Sequence, residues 1–481
     1  MRRSTRVFLA VGAWAALTGA GTLGASPVTV TEPSPRVAQD AVRPQLPGTV
    51  DFALDPVQRG TVPDADAMRD QMDELWDSRW LGSSSRRSIT VRDALTDEHL
   101  VDIRADQPLT PASTTKLLSA AAITAVLPPE MTFATRVVVA EEPGQVVLVA
   151  GGDQLLATGS GSSTAVAGRA GLADLAAETA SSLADRGVSG PIDVVVDTTY
   201  ADGSSVAPAW TDFWVDNGFA GRISMLALEQ DRALPYDPAP RDPGLSAARA
   251  FEQALADAGI EVATSGDIER VEAPNGPDPG TDSDQEPSTG AVLAEVESAP
   301  LRDVLALALT TSDNAMVEQL ARQAAVASGE DTDQETVNAW VLATLDDFYA
   351  VDTDGAVLAD TSGLSDGTRV PMRLVADVLV SGASGRYPAL QSVLTGLPIA
   401  GYSGTLADRF GQDVASEGRG VVRAKTGSLP SVTSLAGTVT TADGRLLVFA
   451  LSVNDVGSGG AEVEARAVID ELVSHLAGCG C

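Results

Sequence analysis

The first regular spacing along the chain falls at Met68, Met72, Leu75 and Trp76, one apolar stripe on a helix within residues 64–81. Residues 88–103 (SITVRDALTDEHLVDI) then alternate apolar and polar positions, as a two-strand hairpin does. In residues 109–127 (LTPASTTKLLSAAAITAVL) the period changes again. Pro111 suits a first helical turn, and the Leu, Ala and Ile run behind it suits a buried helix.

From Pro128 to Ser298 short Val-rich strands (135–140, 145–152, 192–197) mix with Ala-rich helices (172–186, 247–260), which predicts an inserted α+β region. It closes in an acidic stretch rich in Pro and Gly (275–290) with no apolar period, a solvated loop. Helical patterns return at 301–327 and 337–350. Strands follow at 420–427 and 434–453, with Asp443-Gly444 as a hairpin turn signal, and a last amphipathic helix spans 461–478 with Gly478 as its C-terminal cap. The expected fold is α+β: an antiparallel sheet with helices on both faces. It is built from residues 64–127 and 299–481 around the 128–298 insertion.

The N-terminus has a different character. Three arginines precede a mostly apolar run to Ala25, which predicts an export signal over 1–25 or an uncleaved membrane anchor, and so an extracytoplasmic protein in the cell wall or secreted. Residues 26–63, rich in Pro, Val and Thr, read as a linker.

Composition narrows the chemistry. A formal charge of −34 repels polyphosphate, which excludes nucleic acid as a partner. The only histidines are His99 and His475, and the only cysteines are Cys479 and Cys481 at the end of the chain, so no Cys/His metal centre and no cofactor is expected. Of 32 basic residues only Lys116 and Lys425 are lysine. An ammonium can lose its proton whereas a guanidinium cannot, so lysine retained at two points suggests proton chemistry or a compact charge there.

Both lysines lie in short motifs: Ser113-Thr114-Thr115-Lys116 and Lys425-Thr426-Gly427-Ser428, with Ser312-Asp313-Asn314 between them. Taken singly, each also fits an ordinary element: a helix start with a snorkelling lysine, a helix cap, a strand ending in a turn. Together they supply what acyl transfer needs. A serine hydroxyl requires a base. Residues three apart share a helix face, which sets Lys116 beside Ser113. Burial and a second cation, Lys425, would favour the neutral amine that can act as that base. The helix N-terminus offers the N–H of Ser113 to an oxyanion. Gly427 on a strand edge would let a substrate backbone approach closely.

At these residues the chain resembles the class C low-molecular-mass penicillin-binding proteins, the D-alanyl-D-alanine carboxypeptidase and endopeptidase group. The blocks VAGGD (149–153), SAPLRDVLALALTTSDNAMVEQLAR (298–322), DTSGLSDGTRV (360–370) and GTLADRF (404–410) extend the resemblance from about Ile89 to Asn454. It implies a β-lactamase/transpeptidase-like fold, peptidoglycan stem peptides as substrate and β-lactam antibiotics as inhibitors. It further implies that Ser113 is acylated, that Ser312 passes the proton of Lys116 to the departing amine, and that Asn314 binds the substrate amide. Lys425, Thr426 and Ser428 would hold the terminal carboxylate, and the N–H of Ser428 would be the second oxyanion donor. Gln154 replaces the usual Pro after Asp153, and Ser428 stands where many members have Thr. A β-lactamase or small-ester hydrolase, and a non-catalytic wall-binding relative, are the alternatives.

Overall fold

The computed structural model describes residues 60–263, 266–274, 289–457 and 460–479; the expected export signal, most of the linker and most of the acidic loop lie outside them. Helix α1 (Ala65–Trp76) starts where Asp64 accepts a hydrogen bond from Ala67 N, and it buries Met68, Met72 and Trp76. Strands β1 (Arg87–Asp93) and β2 (His99–Ile103) form the expected hairpin. Helix α2 (Thr115–Val126) then buries every residue from Thr115 to Ala125. Its small Ala surface lets other helices close around it, so truncating Leu117 or Leu118 to Ala would cost about 2–5 kcal/mol.

The next stretch builds a second sheet. Strands β3 (Ala134–Val139), β4 (Gln145–Val149) and β5 (Asp193–Asp197) are interleaved with α3 (Leu172–Asp185). Helices α4 (Asp212–Asp216) and α5 (Pro243–Asp257) come next, and β6 (Val292–Glu297) completes the sheet in the order β5-β4-β3-β6. Only the β4–β5 pair is parallel. Val137, Leu148, Val194 and Val196 pack beneath α3 and α5 with Phe251. The segment between β5 and α5 folds back over the first layer, where Trp210, Val215, Ala220 and Ile223 pack on Ala315 and Leu364.

Helices α6 (Leu301–Thr311), α7 (Asn314–Ala327), α8 (Gln334–Tyr349), α9 (Met372–Ala383) and α10 (Pro388–Leu394) lead into β7 (Val422–Leu429), β8 (Val432–Thr440), β9 (Leu446–Asn454) and α11 (Ala461–Gly478). The main sheet is antiparallel throughout, in the order β2-β1-β9-β8-β7. Strand β9 shows how its two faces are used. Leu447, Phe449, Leu451 and Val453 pack in the cluster that contains α1 and α11 residues, while Val448 and Ala450 join the cluster of α2 and α6 to α9. Alternate side chains of a strand point to opposite faces, so a strand covered on both sides reads as a continuous apolar run.

Gly478 differs from its expected role: it is the last residue of α11, and Cys479, which is disulfide-bonded, follows as the cap. A Cβ at Gly478 would meet the carboxylate of Glu417, the movable end of an exposed side chain. Among the described residues no helix is long and apolar enough to cross a membrane.

Candidate active site

The chain reaches Ser113 through a segment tied to the main sheet. Thr110 N donates to Asn454 Oδ1 (2.9 Å), and Asn454 Nδ2 and Ser452 Oγ donate to Thr110 O (3.1 and 2.8 Å). Ser434 Oγ donates to Pro111 O (2.6 Å). These ties sustain Ala112 at φ 50°, a left-handed conformation that costs a non-glycine residue about 1–3 kcal/mol. Ala112–Thr114 form a 3₁₀ turn rather than the expected α-helical turn. Such a turn stacks residues three apart, and Lys116 Nζ lies 3.1 Å from Ser113 Oγ.

Lys116 is fully buried, and its amine also donates to Asn314 Oδ1 (2.5 Å) and Ser362 O (2.8 Å). Burial lowers its pKa from 10.5 to about 8, against the opposing pull of Asp360, Glu318 and Asp313. The amine is therefore uncharged in a useful fraction of molecules near neutral pH. Lys425 is also fully buried; burial, and then the charge of Lys116, push it well below its ordinary value. Burial is thus the largest cause acting on both amines.

Ser312 and Asn314 flank the break between two helices. Ser312 ends α6 in the left-handed region (φ 60°), and Asp313 caps α7 by accepting from Met316 N (3.0 Å). Asp313 is further held by Arg232 Nε and Nη2 (3.1 and 2.9 Å), which leaves it occupied away from the reacting groups. Lys425 Nζ donates to Ser312 Oγ (2.9 Å), and Asn314 Nδ2 donates to Phe219 O (2.9 Å), a residue of the segment that folds back from the second sheet. The three motifs thus meet through two lysine amines.

Strand β7 carries Lys425 to Ser428 at the edge of the main sheet. Residues 398–400 pair with that edge only as far as Ala424. Thr426 Oγ1 lies 2.8 Å from Thr405 Oγ1 in the GTLADRF block, and Ser428 is exposed at the end of the strand. Gly427 is packed closely within the fold. A Cβ there would strike Ser434 Oγ and the Pro111 carbonyl, so the close approach it permits is to the segment that carries Ser113.

Several contributors escaped the sequence reading. Ser362 supplies a backbone carbonyl to Lys116, and backbone groups leave no residue-type signal. Thr405 and Phe219 come from segments without an assigned role. Glu318, four residues after Asn314, lies on the same helix face, a spacing the sequence did display.

A buried lysine beside a serine on a 3₁₀ turn, at the edge of an antiparallel sheet covered by helices, defines a serine hydrolase of the β-lactamase/transpeptidase-like fold. The sequence profile of the D-Ala-D-Ala carboxypeptidase 3 (S13) family matches residues 71–236 and 230–476, and the chain belongs to that family. It is 35% identical over 398 residues to a carboxypeptidase of Mycobacterium tuberculosis, covering 81% of this chain and 80% of that one. The carboxypeptidase DacB of Mycolicibacterium smegmatis is 35% identical over 397 residues with the same coverage. In three dimensions the chain resembles penicillin-binding protein 4 of Haemophilus influenzae, with a TM-score of 0.65 at 20% identity, over 84% of this chain and 99% of that one. The same protein complexed with a β-lactam gives a TM-score of 0.59. The chain is a serine-type D-Ala-D-Ala carboxypeptidase.

Proposed function

We propose that Ser113 is the nucleophile and Lys116 its base, acting on the D-alanyl-D-alanine end of peptidoglycan stem peptides. The observation that carries this reading is the 3.1 Å separation of Lys116 Nζ from Ser113 Oγ, with the amine buried and its pKa lowered to about 8. Neutral Lys116 takes the hydroxyl proton as Ser113 Oγ attacks the penultimate D-alanine carbonyl carbon. The oxyanion accepts from the N–H groups of Ser113 and Ser428. The peptide bond breaks, terminal D-alanine leaves with the proton relayed through Ser312, and water then hydrolyses the ester. Asn314 holds Lys116 and the substrate amide. Lys425, Thr426 and Ser428 bind the terminal carboxylate, and Gly427 keeps their strand against the nucleophile segment. β-Lactams would acylate Ser113 by the same attack.

Residues 1–25 act in this reading as an export signal or anchor, which brings residues 64–127 and 299–481, with the 128–298 insertion, to the cell wall. The test is mass spectrometry of purified muropeptides incubated with wild type and Ser113→Ala. Loss of one alanine by wild type alone supports the carboxypeptidase assignment, and conversion of cross-linked dimers to monomers adds endopeptidase action. Equal processing by Ser113→Ala would overturn the assignment of the nucleophile.

A further inference from the structure

Beneath the reacting groups lies a buried carboxylate with no part in the mechanism above. Glu318, on α7, is 1% exposed. Its Oε1 accepts from Thr361 N (3.0 Å) and Ser362 N (2.8 Å), and its Oε2 accepts from Thr361 Oγ1 (2.7 Å) and Gln334 Nε2 (3.1 Å). Ser362 is the residue whose carbonyl accepts from Lys116 Nζ at 2.8 Å. One residue therefore separates the carboxylate from the amine, and both backbone polar groups of that residue are committed, one to each.

We propose that Glu318 is a positioning residue for acylation: it clamps the Thr361–Ser362 backbone so that the Ser362 carbonyl fixes Lys116, and it holds a carboxylate one residue away from the amine. The proposal rests on Lys116 being the base. Two of the three acceptors around Lys116 Nζ depend on α7, since Asn314 lies on it and Ser362 hangs from Glu318. Loss of the clamp would free the amine to leave the line to Ser113 Oγ.

The charges facing this carboxylate come from several elements. Asp360 lies in the same loop, Lys116 on α2 and Arg322 one turn further along α7, while α8 contributes the neutral Gln334. Asp313 and Lys425 act on Lys116 from the other side. Burial and Asp360 push the Glu318 carboxyl up to about 7, below the value of about 8 for Lys116. Both oxygens of Glu318 accept only from donors, the pattern of an ionised carboxylate, and its charge raises the Lys116 value.

The test is the rate of penicillin acylation of the full chain, followed by mass spectrometry from about pH 5 to pH 9. Glu318→Gln keeps an oxygen for the two backbone N–H groups and removes the charge; the rising limb of its profile should move to lower pH. Glu318→Ala removes the clamp and should lower the limiting rate constant about tenfold to a hundredfold, with little change in the half-saturating concentration. Glu318→Asp restores the charge at shorter reach, so its limb should return towards the wild-type position while the plateau stays reduced. The proposal is overturned if the Gln profile superimposes on wild type, or if the variants lose melting temperature with no movement of the limb. If wild type itself forms no Ser113 adduct, the underlying functional reading fails instead.

Discussion

Gly363 lies against Ala112 so closely that a Cβ on it would enter the space of the Ala112 carbonyl oxygen and of Thr115 Oγ1. Gly363 has φ 77° and Ala112 has φ 50°, so two left-handed residues face each other directly behind Ser113. The loop that holds Gly363 is fixed by Asp360, which accepts from Gly363 N (2.6 Å), Ser365 N (2.8 Å) and Trp210 Nε1 (2.7 Å). The Ser113 turn, this loop and the segment that folds back from the second sheet are thus tied together.

Substitution at this contact tests that rigidity. Gly363→Ala must both adopt a disfavoured φ and displace the Ala112 carbonyl, so it should destabilise the protein by about 1–3 kcal/mol and slow acylation of Ser113. Thermal melting and penicillin labelling measured together check this. A variant with unchanged melting and labelling would show that the close approach is not needed.

The base can be separated from its charge. Lys116→Arg keeps a cation, but one that cannot lose its proton, so acylation should fall by about 10²–10⁴. Intact-mass detection of the penicillin adduct is the measurement. An Arg variant that labels at the wild-type rate would remove Lys116 from the role of base.

The pH dependence follows from the lowered amine pKa. With the Lys116 value at about 8, roughly a tenth of the amine is neutral at pH 7. The acylation rate should therefore rise nearly tenfold per pH unit below that value and level off above it. A flat profile between about pH 6 and pH 8 would contradict a proton loss in this range.

Asp153 gives an independent prediction about stability. It is 2% exposed, accepts from Leu155 N (2.8 Å), and burial raises its pKa from 3.8 to about 7. Between those values the folded state holds a proton that the unfolded state has released, so this group's contribution to stability is full below about pH 4 and lost progressively up to about pH 7. Asp153→Asn, which retains the acceptor, should raise the melting temperature above pH 7 and leave it nearly unchanged near pH 4. A gain of equal size at both values would rule out the buried proton as its cause.

The element types were readable because burial imposes period on sequence. The alternation of 88–103, the Leu and Ala run after Lys116, and the Asp443-Gly444 turn each predicted the element that formed. The motif residues were readable because the two lysines stand out in a chain that otherwise uses arginine. Gly427 shows what was not readable: the groups packed against it across the fold, Ser434 Oγ and the Pro111 carbonyl, exclude a side chain there, and local sequence does not name them.

The sequence by itself therefore determined the chemistry available: a hydroxyl, an amine three residues on, a second amine, and a buried helix that begins between the first pair. Tertiary structure decided which form of those groups exists. Full burial and the carbonyl of Ser362 set the proton affinity and direction of Lys116, and the return of the second-sheet segment set Phe219 O against Asn314. Desolvation and backbone contacts depend on everything packed around a residue, so no local pattern along the chain could encode them.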